Sequence, residues 1–452
     1  MKEFDAIVVG SGSGLDVASA LTNRGWEVAV IEPGPLGGTC LNRGCIPSKM
    51  LIHRADVVET IERSEEFHID AAVSDIAFEK IVSEVNEEVG SDAEQIRKGV
   101  KASDNHTLYE SEAQFVDEKV LEVDDERITA ETIVVAAGSR PIIPPIEGIE
   151  DVDYLTSKEA LKLEDRPDSM IIIGGGYIAT ELAHFYEKMG TDITVLEMRD
   201  SLIPREDEDI ASRFTEIAEE KWDVNVGMKA SEVGEQDGTV TVRAEDEDGN
   251  EHEFEADELL VAAGRRPNTD TLQVGKGNIE TDDRGFVETD ETLATSVDGV
   301  YALGDIAGNF MFKHSANLEA QYVFRNIVTD REFEPDFTAM PHAIFSSPQV
   351  AGVGKTEQEL READADYLSA SYAYENTGMG MALKADGFVK VLAEPESGEI
   401  LGCHILGPEA STLIHEVLVA MRQGDGTIDD ILDTIHIHPA LNEVVQRAFR
   451  QV

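Results

Sequence analysis

The chain has 452 residues, 92 of them acidic and 37 basic, which gives a formal net charge of −55 at pH 7, and 41% of its residues are hydrophobic. That charge argues against nucleic acid and anionic membrane as partners, since either polyanion would be repelled. No apolar run approaches the roughly 18 residues that a membrane span needs, and three cysteines are too few for a disulfide framework in a chain of this size.

The length is about three times the common domain size, so several domains are expected. The acids recur along the chain, as in "REDEDI" (205–210) and "AEDEDGNEHEFEADE" (244–258), which is the pattern of a uniformly solvated halophilic surface rather than of one patch for a basic partner. The N-terminus passes straight into an apolar strand pattern without a separate hydrophobic segment or cleavage site. A cytoplasmic location is the resulting expectation.

In chain order, "FDAIVVG" (4–10) reads as a buried strand, the turn "GSGSG" (10–14) leads into a helix, and "WEVAVIE" (26–32) supplies a second strand. Gly10 and Gly12 hold the first two places of a dinucleotide fingerprint, and Gly14 lies in the same turn. One glycine permits the tight turn, and the next lets backbone approach a pyrophosphate at the helix N-terminus. Glu32, twenty residues past Gly12, is placed to bond an adenosine ribose. The third place holds Leu15 rather than Gly or Ala, which predicts that the helix sits slightly differently on its strand.

Next comes "GGTCLNRGCIPSKM" (37–50), with Cys40 and Cys45 five positions apart. A zinc site would need about four Cys or His ligands, and no second close-spaced pair accompanies these, so no metal is expected. In a regular helix, residues five apart rise about 7.5 Å, beyond the roughly 7 Å of Cα separation that a disulfide tolerates. The two cysteines can therefore bond only through an irregular turn. Gly37, Gly38 and Gly44 make one accessible, and Pro47 limits how the following helix begins. At this point a pair of core thiols and a redox pair both remain open.

The strand–turn–helix unit then repeats. "SMIIIGGGYIATELAHFYEKMG" (169–190) carries Gly174, Gly176 and Ala179, and "TDITVLE" (191–197) ends in Glu197. Two fingerprints about 165 residues apart imply two dinucleotides. Glu197 favours NADH, because a carboxylate bonds the ribose hydroxyl and repels a 2′-phosphate. Arg199 and Arg205 favour NADPH, because guanidinium suits that phosphate. The balance is read as NADPH, with NADH the alternative. Pro-rich "RPIIPPIEG" (140–148) and "RRPNTD" (265–270) read as crossovers between domains. The alternating stretches "GFVKVLAE" (387–394) and "EILGCHILG" (399–407) read as strands of an antiparallel sheet that carries helices, with Cys403 in its core.

With "TIVVAAGSRP" (132–141), "ELLVAAGRRPNT" (258–269), "TSVDGVYALGD" (295–305) and "IHIHPALNEVV" (435–445) in the same order, the chain resembles the pyridine nucleotide-disulfide oxidoreductases essentially end to end. The resemblance implies an α/β fold with two Rossmann-like dinucleotide-binding domains, for FAD and NAD(P), plus a C-terminal α+β dimerisation domain. The implied boundaries are 1–148 and 267–335 for FAD, 149–266 for NAD(P) and 336–452 for dimerisation. It implies FAD at Gly10, Gly12, Gly14, Glu32, Gly38, Thr39, Gly138 and Asp305, the last on the ribityl chain. It implies the nicotinamide nucleotide at Gly174, Gly176, Tyr177, Ile178, Glu197, Arg199, Arg205 and Gly264, with Tyr177 covering the pocket.

On the same resemblance, Cys40 and Cys45 form a redox-active disulfide in which Cys45 faces the flavin and Cys40 exchanges with substrate. Lys49 lies against the flavin and pairs with Glu181. His438, supplied by the other subunit of a homodimer and oriented by Glu443, is the acid–base. His436 lacks the adjoining proline and the spaced glutamate. The chain ends at "QRAFRQV" without the cysteine pair of mercuric reductases or the redox-active extension of large thioredoxin reductases. "FKHSANLEA" (312–320) and the non-small third fingerprint place resemble mycothione reductase. With the acidity, the nearest resemblance is to the bis-γ-glutamylcystine reductase of halophilic archaea. The expectation is an NADPH-dependent reductase of a small thiol disulfide serving redox homeostasis, with Arg43 as a guessed contact to substrate carboxylates. The alternative is an NAD-dependent dihydrolipoamide dehydrogenase of a 2-oxoacid dehydrogenase complex, which "LNRGCIPSK" (41–49) and Glu197 permit.

Overall fold

The β-branched run at the N-terminus forms a strand, Lys2–Val9, whose residues Ala6, Ile7, Val8 and Val9 are all buried. A continuous apolar run of this kind suits a parallel strand covered on both faces. In the computed structural model, which describes residues 1–452, it lies inside a seven-stranded sheet. Val28–Ile31 and then His106–Tyr109 extend the sheet in parallel on one side, and Glu126–Val135 pairs in parallel on the other. Beyond Glu126–Val135 lie Val300–Ala302, parallel, and Val120–Val123 with Ala113–Asp117, antiparallel. Ile7 and Val9 pack with Phe115 and Ile133 on one face. Ala6 and Val8 pack on the other with Val17, Ala18 and Leu21 of the helix Gly14–Thr22 and with Val323 of the helix Lys313–Val328. These elements belong to a unit of residues 1–50, 80–142 and 264–337.

The departure at the third fingerprint place has a local explanation. A Cβ on Gly14 would lie 2.8 Å from Ala136 Cβ and 3.0 Å from Val8 Cγ1, so the close helix–strand contact falls on Gly14. Leu15, one residue later, is only partly buried at the edge of that cluster, where a large side chain fits.

The second unit comprises residues 51–79, 143–263 and 338–452. Its parallel sheet runs Asp223–Asn225, Asp192–Leu196, Ser169–Ile173, Glu258–Val261. A three-stranded antiparallel sheet follows from Lys229–Gln236, Thr239–Glu245 and Glu251–Ala256. A five-stranded antiparallel sheet, with Ile400–Leu406 between Val350–Gly354 and Phe388–Ala393, carries the helices Ala410–Gln423 and Glu443–Phe449. Val389, Val391, Ile405 and fully buried Cys403 share a core with Leu413, Val417, Val445 and Phe449. Buried Lys390 reaches from this sheet to Asp207, Asp209 and Glu357, at 2.7, 2.6 and 2.5 Å. Asp207 also caps the helix Glu208–Glu219, which fixes the end of the loop that carries Arg199 and Arg205. No helix is long and apolar enough to cross a membrane.

Candidate active site

The first glycine turn is built around a buried carboxylate. Glu32, just past the second strand, accepts hydrogen bonds from the Ser11 amide (3.0 Å), the Ser11 hydroxyl (2.7 Å) and the Gly34 amide (3.0 Å). Gly10 has φ +104°, and a Cβ there would meet the Ala136 carbonyl oxygen at 2.1 Å. Gly38, at φ +67°, lies against Gly12, since its Cβ would be 2.7 Å from Gly12 Cα. By contrast, no atom lies within 4 Å of the Cβ positions of Gly12 and Gly138. Backbone exposed beside a helix N-terminus is a cradle for a phosphate group, and Gly12 supplies one at the start of Gly14–Thr22.

At the far strand end, Asp305 accepts a 2.5 Å hydrogen bond from the Ser139 hydroxyl. Arg265 donates to the Ser139 hydroxyl and carbonyl at 2.9 and 2.8 Å. Fully buried Glu319 accepts from the Gly304 amide at 2.5 Å and the Ser315 hydroxyl at 3.1 Å, and burial pushes its carboxyl up. The open glycine face, the carboxylate at the second strand and the anchored Asp305 together fit an FAD-type dinucleotide.

The cysteine motif is split between two helices. Gly38–Arg43 ends at Gly44 (φ −150°, ψ −121°), and Cys45 opens the helix Cys45–Glu62. This break is the irregular turn that the spacing requires. A Cβ on Gly44 would lie 2.9 Å from the Thr39 carbonyl oxygen, so the junction is closely packed. Pro47 falls in the first turn of the second helix, where a missing N–H leaves no intrahelical bond unmade. The Asn42 amide ties the segment to the carbonyls of Pro35, Leu36 and Gly38, at 3.0, 2.9 and 3.0 Å. Both cysteines are thiols here, Cys40 partly buried and Cys45 exposed. A hydrogen bond with Cys45, then burial, pushes the Cys40 thiol up, against the opposing pull of Lys313 and Lys49.

The second fingerprint repeats the first in detail. Gly174 has φ +108°, and its Cβ would meet the Ala262 carbonyl oxygen at 2.6 Å, while the Cβ position of Gly176 is open. Buried Glu197 accepts from the Gly175 amide at 2.5 Å and the Arg199 amide at 2.8 Å, as Glu32 does from Ser11 and Gly34. Tyr177 and Ile178 begin the helix Tyr177–Lys188, and Tyr177 is exposed. Arg199 and Arg205 are exposed. Glu181 is buried and accepts from the Phe345 amide at 3.0 Å. Gly264, grouped by sequence with the nucleotide residues of this unit, instead falls in the first unit, where its carbonyl accepts from the Ile142 amide at 2.9 Å.

Near the C-terminus, His438 Nδ1 contacts Glu443 Oε1 at 3.0 Å and Oε2 at 3.1 Å. The imidazole is 75% exposed and the carboxylate 9%. The His438 contact, with Arg447 assisting, lowers the Glu443 carboxyl. An imidazole gripped at Nδ1 presents Nε2 outward as the exchangeable position. His436 has the opposite surroundings: its side chain is 4% exposed and faces Glu416 at 3.3 Å.

Four residues escaped the sequence reading. Ser11 and Ser139 occupy variable places inside recognisable motifs. Glu319 and Lys313 lie on one helix, from which Glu319 holds the nearby Gly304 amide and Lys313 donates at 2.9 Å to Ser13 Oγ, 300 residues away. Arg43 lies beside Gly34, next to Glu32, with its guanidinium 3.9 Å from the Gly34 Cβ position.

Residues 4–320 match the family described as pyridine nucleotide-disulphide oxidoreductase, and residues 340–449 match its dimerisation domain. A dihydrolipoyl dehydrogenase of Halobacterium salinarum is 37% identical over 454 residues, which covers 98% of this chain and 95% of the relative. A mycothione reductase of Mycobacterium tuberculosis is 35% identical over 463 residues, covering 99% of each. The Cu(II) complex of the HOCl-induced flavoprotein disulfide reductase RclA from Escherichia coli matches with a TM-score of 0.89 at 26% identity, over 100% of both chains. With both of its regions matched and relatives aligned over nearly its whole length, the chain belongs to the pyridine nucleotide-disulphide oxidoreductases and is a flavin-dependent enzyme of that family.

Proposed function

We propose that this enzyme reduces a small thiol disulfide, with bis-γ-glutamylcystine as the leading candidate, at the expense of NADPH, and that it works as a homodimer. The observation that carries this reading is an exposed imidazole, His438, gripped through Nδ1 by Glu443, in a chain whose two free thiols Cys40 and Cys45 flank a break between two helices. A protonated thiol is a poor nucleophile, so Cys40 needs a base, and His438 offers Nε2 for that purpose. Bound FAD would accept hydride from the nicotinamide and deliver two electrons to the cysteine pair. Gly12, Gly14, Gly38, Thr39, Gly138, Glu32 and Asp305 would hold it, with Lys49 alongside and Glu181 as the partner of Lys49.

In the disulfide half-reaction, Cys40 loses its proton to His438 of the partner subunit and attacks one substrate sulfur. The S–S bond breaks, and the departing thiol recovers a proton from the same imidazole. Cys45 then gives up its proton and attacks the Cys40 sulfur of the mixed disulfide, which restores the Cys40–Cys45 bond and expels the second substrate sulfur as a thiolate that takes that proton up. One disulfide and one NADPH with a proton thus give two thiols and NADP. Exposed Arg199 and Arg205 support the 2′-phosphate, and they sit on a loop whose end is fixed by Asp207.

A second reading, dihydrolipoyl dehydrogenase with NADH, draws support from the Halobacterium salinarum relative and from Glu197. Steady-state assays with NADPH or NADH against bis-γ-glutamylcystine, a mycothiol-type disulfide, glutathione disulfide and lipoamide separate the two. Preference for NADPH with a small disulfide supports the first reading, and preference for NADH with lipoamide replaces it. Cys45→Ser should also abolish the long-wavelength thiolate–flavin band on reduction. Persistence of that band would mean that another sulfur faces the flavin.

A further inference from the structure

Arg447 lies one helical turn beyond Glu443, on the same face of the helix Glu443–Phe449. Its guanidinium is 3.8 Å from Glu443 Oε1, the same oxygen that His438 Nδ1 contacts at 3.0 Å. Imidazole and guanidinium therefore flank a single carboxylate. A separation of 3.8 Å is too long for a hydrogen bond. The Arg447 side chain is 41% exposed, whereas Glu443 is 9% exposed and already occupied by the imidazole. An arginine held this loosely keeps the planar fork of donors that matches an incoming carboxylate.

Local charge points the same way. Between residues 443 and 452 the only acid is Glu443 itself, against Arg447 and Arg450, in a chain with 92 acidic and 37 basic residues. An exposed ion pair four residues apart on a helix adds little to stability, so retaining the fold is a weak reason for a cation here. Glu443, moreover, would repel an anionic substrate approaching His438, and Arg447 offsets that charge.

We infer that Arg447 is a specificity-determining residue that binds a carboxylate of the disulfide, and that the substrate class is a small disulfide with carboxylates a few bonds from its sulfurs. The inference rests on the reading of His438 as the acid–base toward substrate. A sulfur placed to take a proton from His438 Nε2 lies on the side of the ring away from Glu443, so a carboxylate that binds the guanidinium would extend back along the imidazole from the substituents of that sulfur. Lipoamide, whose chain ends in a neutral amide, gains nothing from such a contact. The interaction also tolerates salt: in roughly molar salt the screening length is about 3 Å, and a bidentate contact at about 2.8 Å lies inside it.

The test measures kcat and KM for bis-γ-glutamylcystine and for its tetramethyl ester with the wild-type enzyme, Arg447→Gln, Arg447→Lys and Arg450→Gln. Loss of a charge-assisted hydrogen bond predicts that Arg447→Gln lowers the preference for acid over ester by roughly 10- to 100-fold. The loss should fall on KM rather than kcat, with partial recovery in Arg447→Lys and little change in Arg450→Gln. An equal loss on both substrates, or the same loss in Arg450→Gln, would reduce Arg447 to a structural or general electrostatic role and overturn the inference. Equal wild-type turnover of acid and ester would overturn it as well, while leaving the disulfide-reductase reading in place. Turnover of lipoamide alone would bring down that reading and the inference together.

Discussion

Two histidines separated by one residue have opposite surroundings. His436 turns inward to Glu416, whereas His438 stands out and is gripped at Nδ1 by a buried carboxylate. Only the second leaves a ring nitrogen turned to solvent for proton transfer. Replacement of His438 by Ala should cut disulfide turnover by about 10²- to 10⁴-fold, the usual contribution of a positioned acid–base. Rapid-mixing measurements should place the loss in the disulfide half-reaction, with reduction of the flavin by the nicotinamide nucleotide still fast. A comparable slowing of flavin reduction would remove His438 from the proposed role. The "HP" dipeptide and the glutamate five residues on made this residue legible in sequence. The neighbouring Arg447 was not, because its relation to the imidazole passes through a shared carboxylate oxygen.

The two fingerprints are the same device at the level of the element. In each, a strand ends in a glycine at strongly positive φ, and a carboxylate after the next strand accepts from the amide between the glycines, Ser11 in one and Gly175 in the other. The glycines nevertheless serve different ends. Gly10→Ala would drive a Cβ into the Ala136 carbonyl at 2.1 Å in a left-handed backbone, and should destabilise the fold by roughly 2 kcal/mol or more. Gly12→Ala meets no atom within 4 Å, so the apoprotein should melt near the wild-type temperature while flavin affinity falls, because the methyl occupies the approach to the pyrophosphate. Calorimetry of the apoproteins and flavin titration by fluorescence distinguish the two. Normal flavin binding by Gly12→Ala would remove that glycine from the cofactor site. Spacing located these turns and the departure at Leu15, but only the structure shows that the close packing there is carried one residue earlier by Gly14.

An ion pair that joins distant segments contributes to the acid response of the molecule. Glu59, on the helix Cys45–Glu62, is bonded by Lys221 at 2.8 Å and by the Ser347 hydroxyl. Burial alone would raise its carboxyl, but Lys221 and Ser347 pull it down to about 2. A carboxyl depressed on folding contributes stability that is fully present above the ordinary glutamate value and is lost as the pH falls from there toward 2. The loss is on the order of 3 kcal/mol. Denaturant titrations between pH 7 and pH 2.5 should show Glu59→Gln less stable at neutral pH and with a flatter acid limb than the wild type. Parallel limbs would show that the pair is not what acid breaks. Such pairs stand against the self-repulsion of a chain carrying −55 charges.

The sequence by itself determined the family, the two dinucleotide turns, the cysteine motif and the His438–Glu443 pair, because each is a short-range pattern in which residue types at fixed spacing dictate backbone geometry. The tertiary structure alone decided which glycine takes the close packing, that Ser139 and Arg265 anchor Asp305, and that Lys390 fastens the loop carrying Arg199 and Arg205 through Asp207. Those contacts join residues tens to hundreds of positions apart. Hydrogen bonding and charge act through space, and the distances that set them come into being only when the chain has closed its sheets.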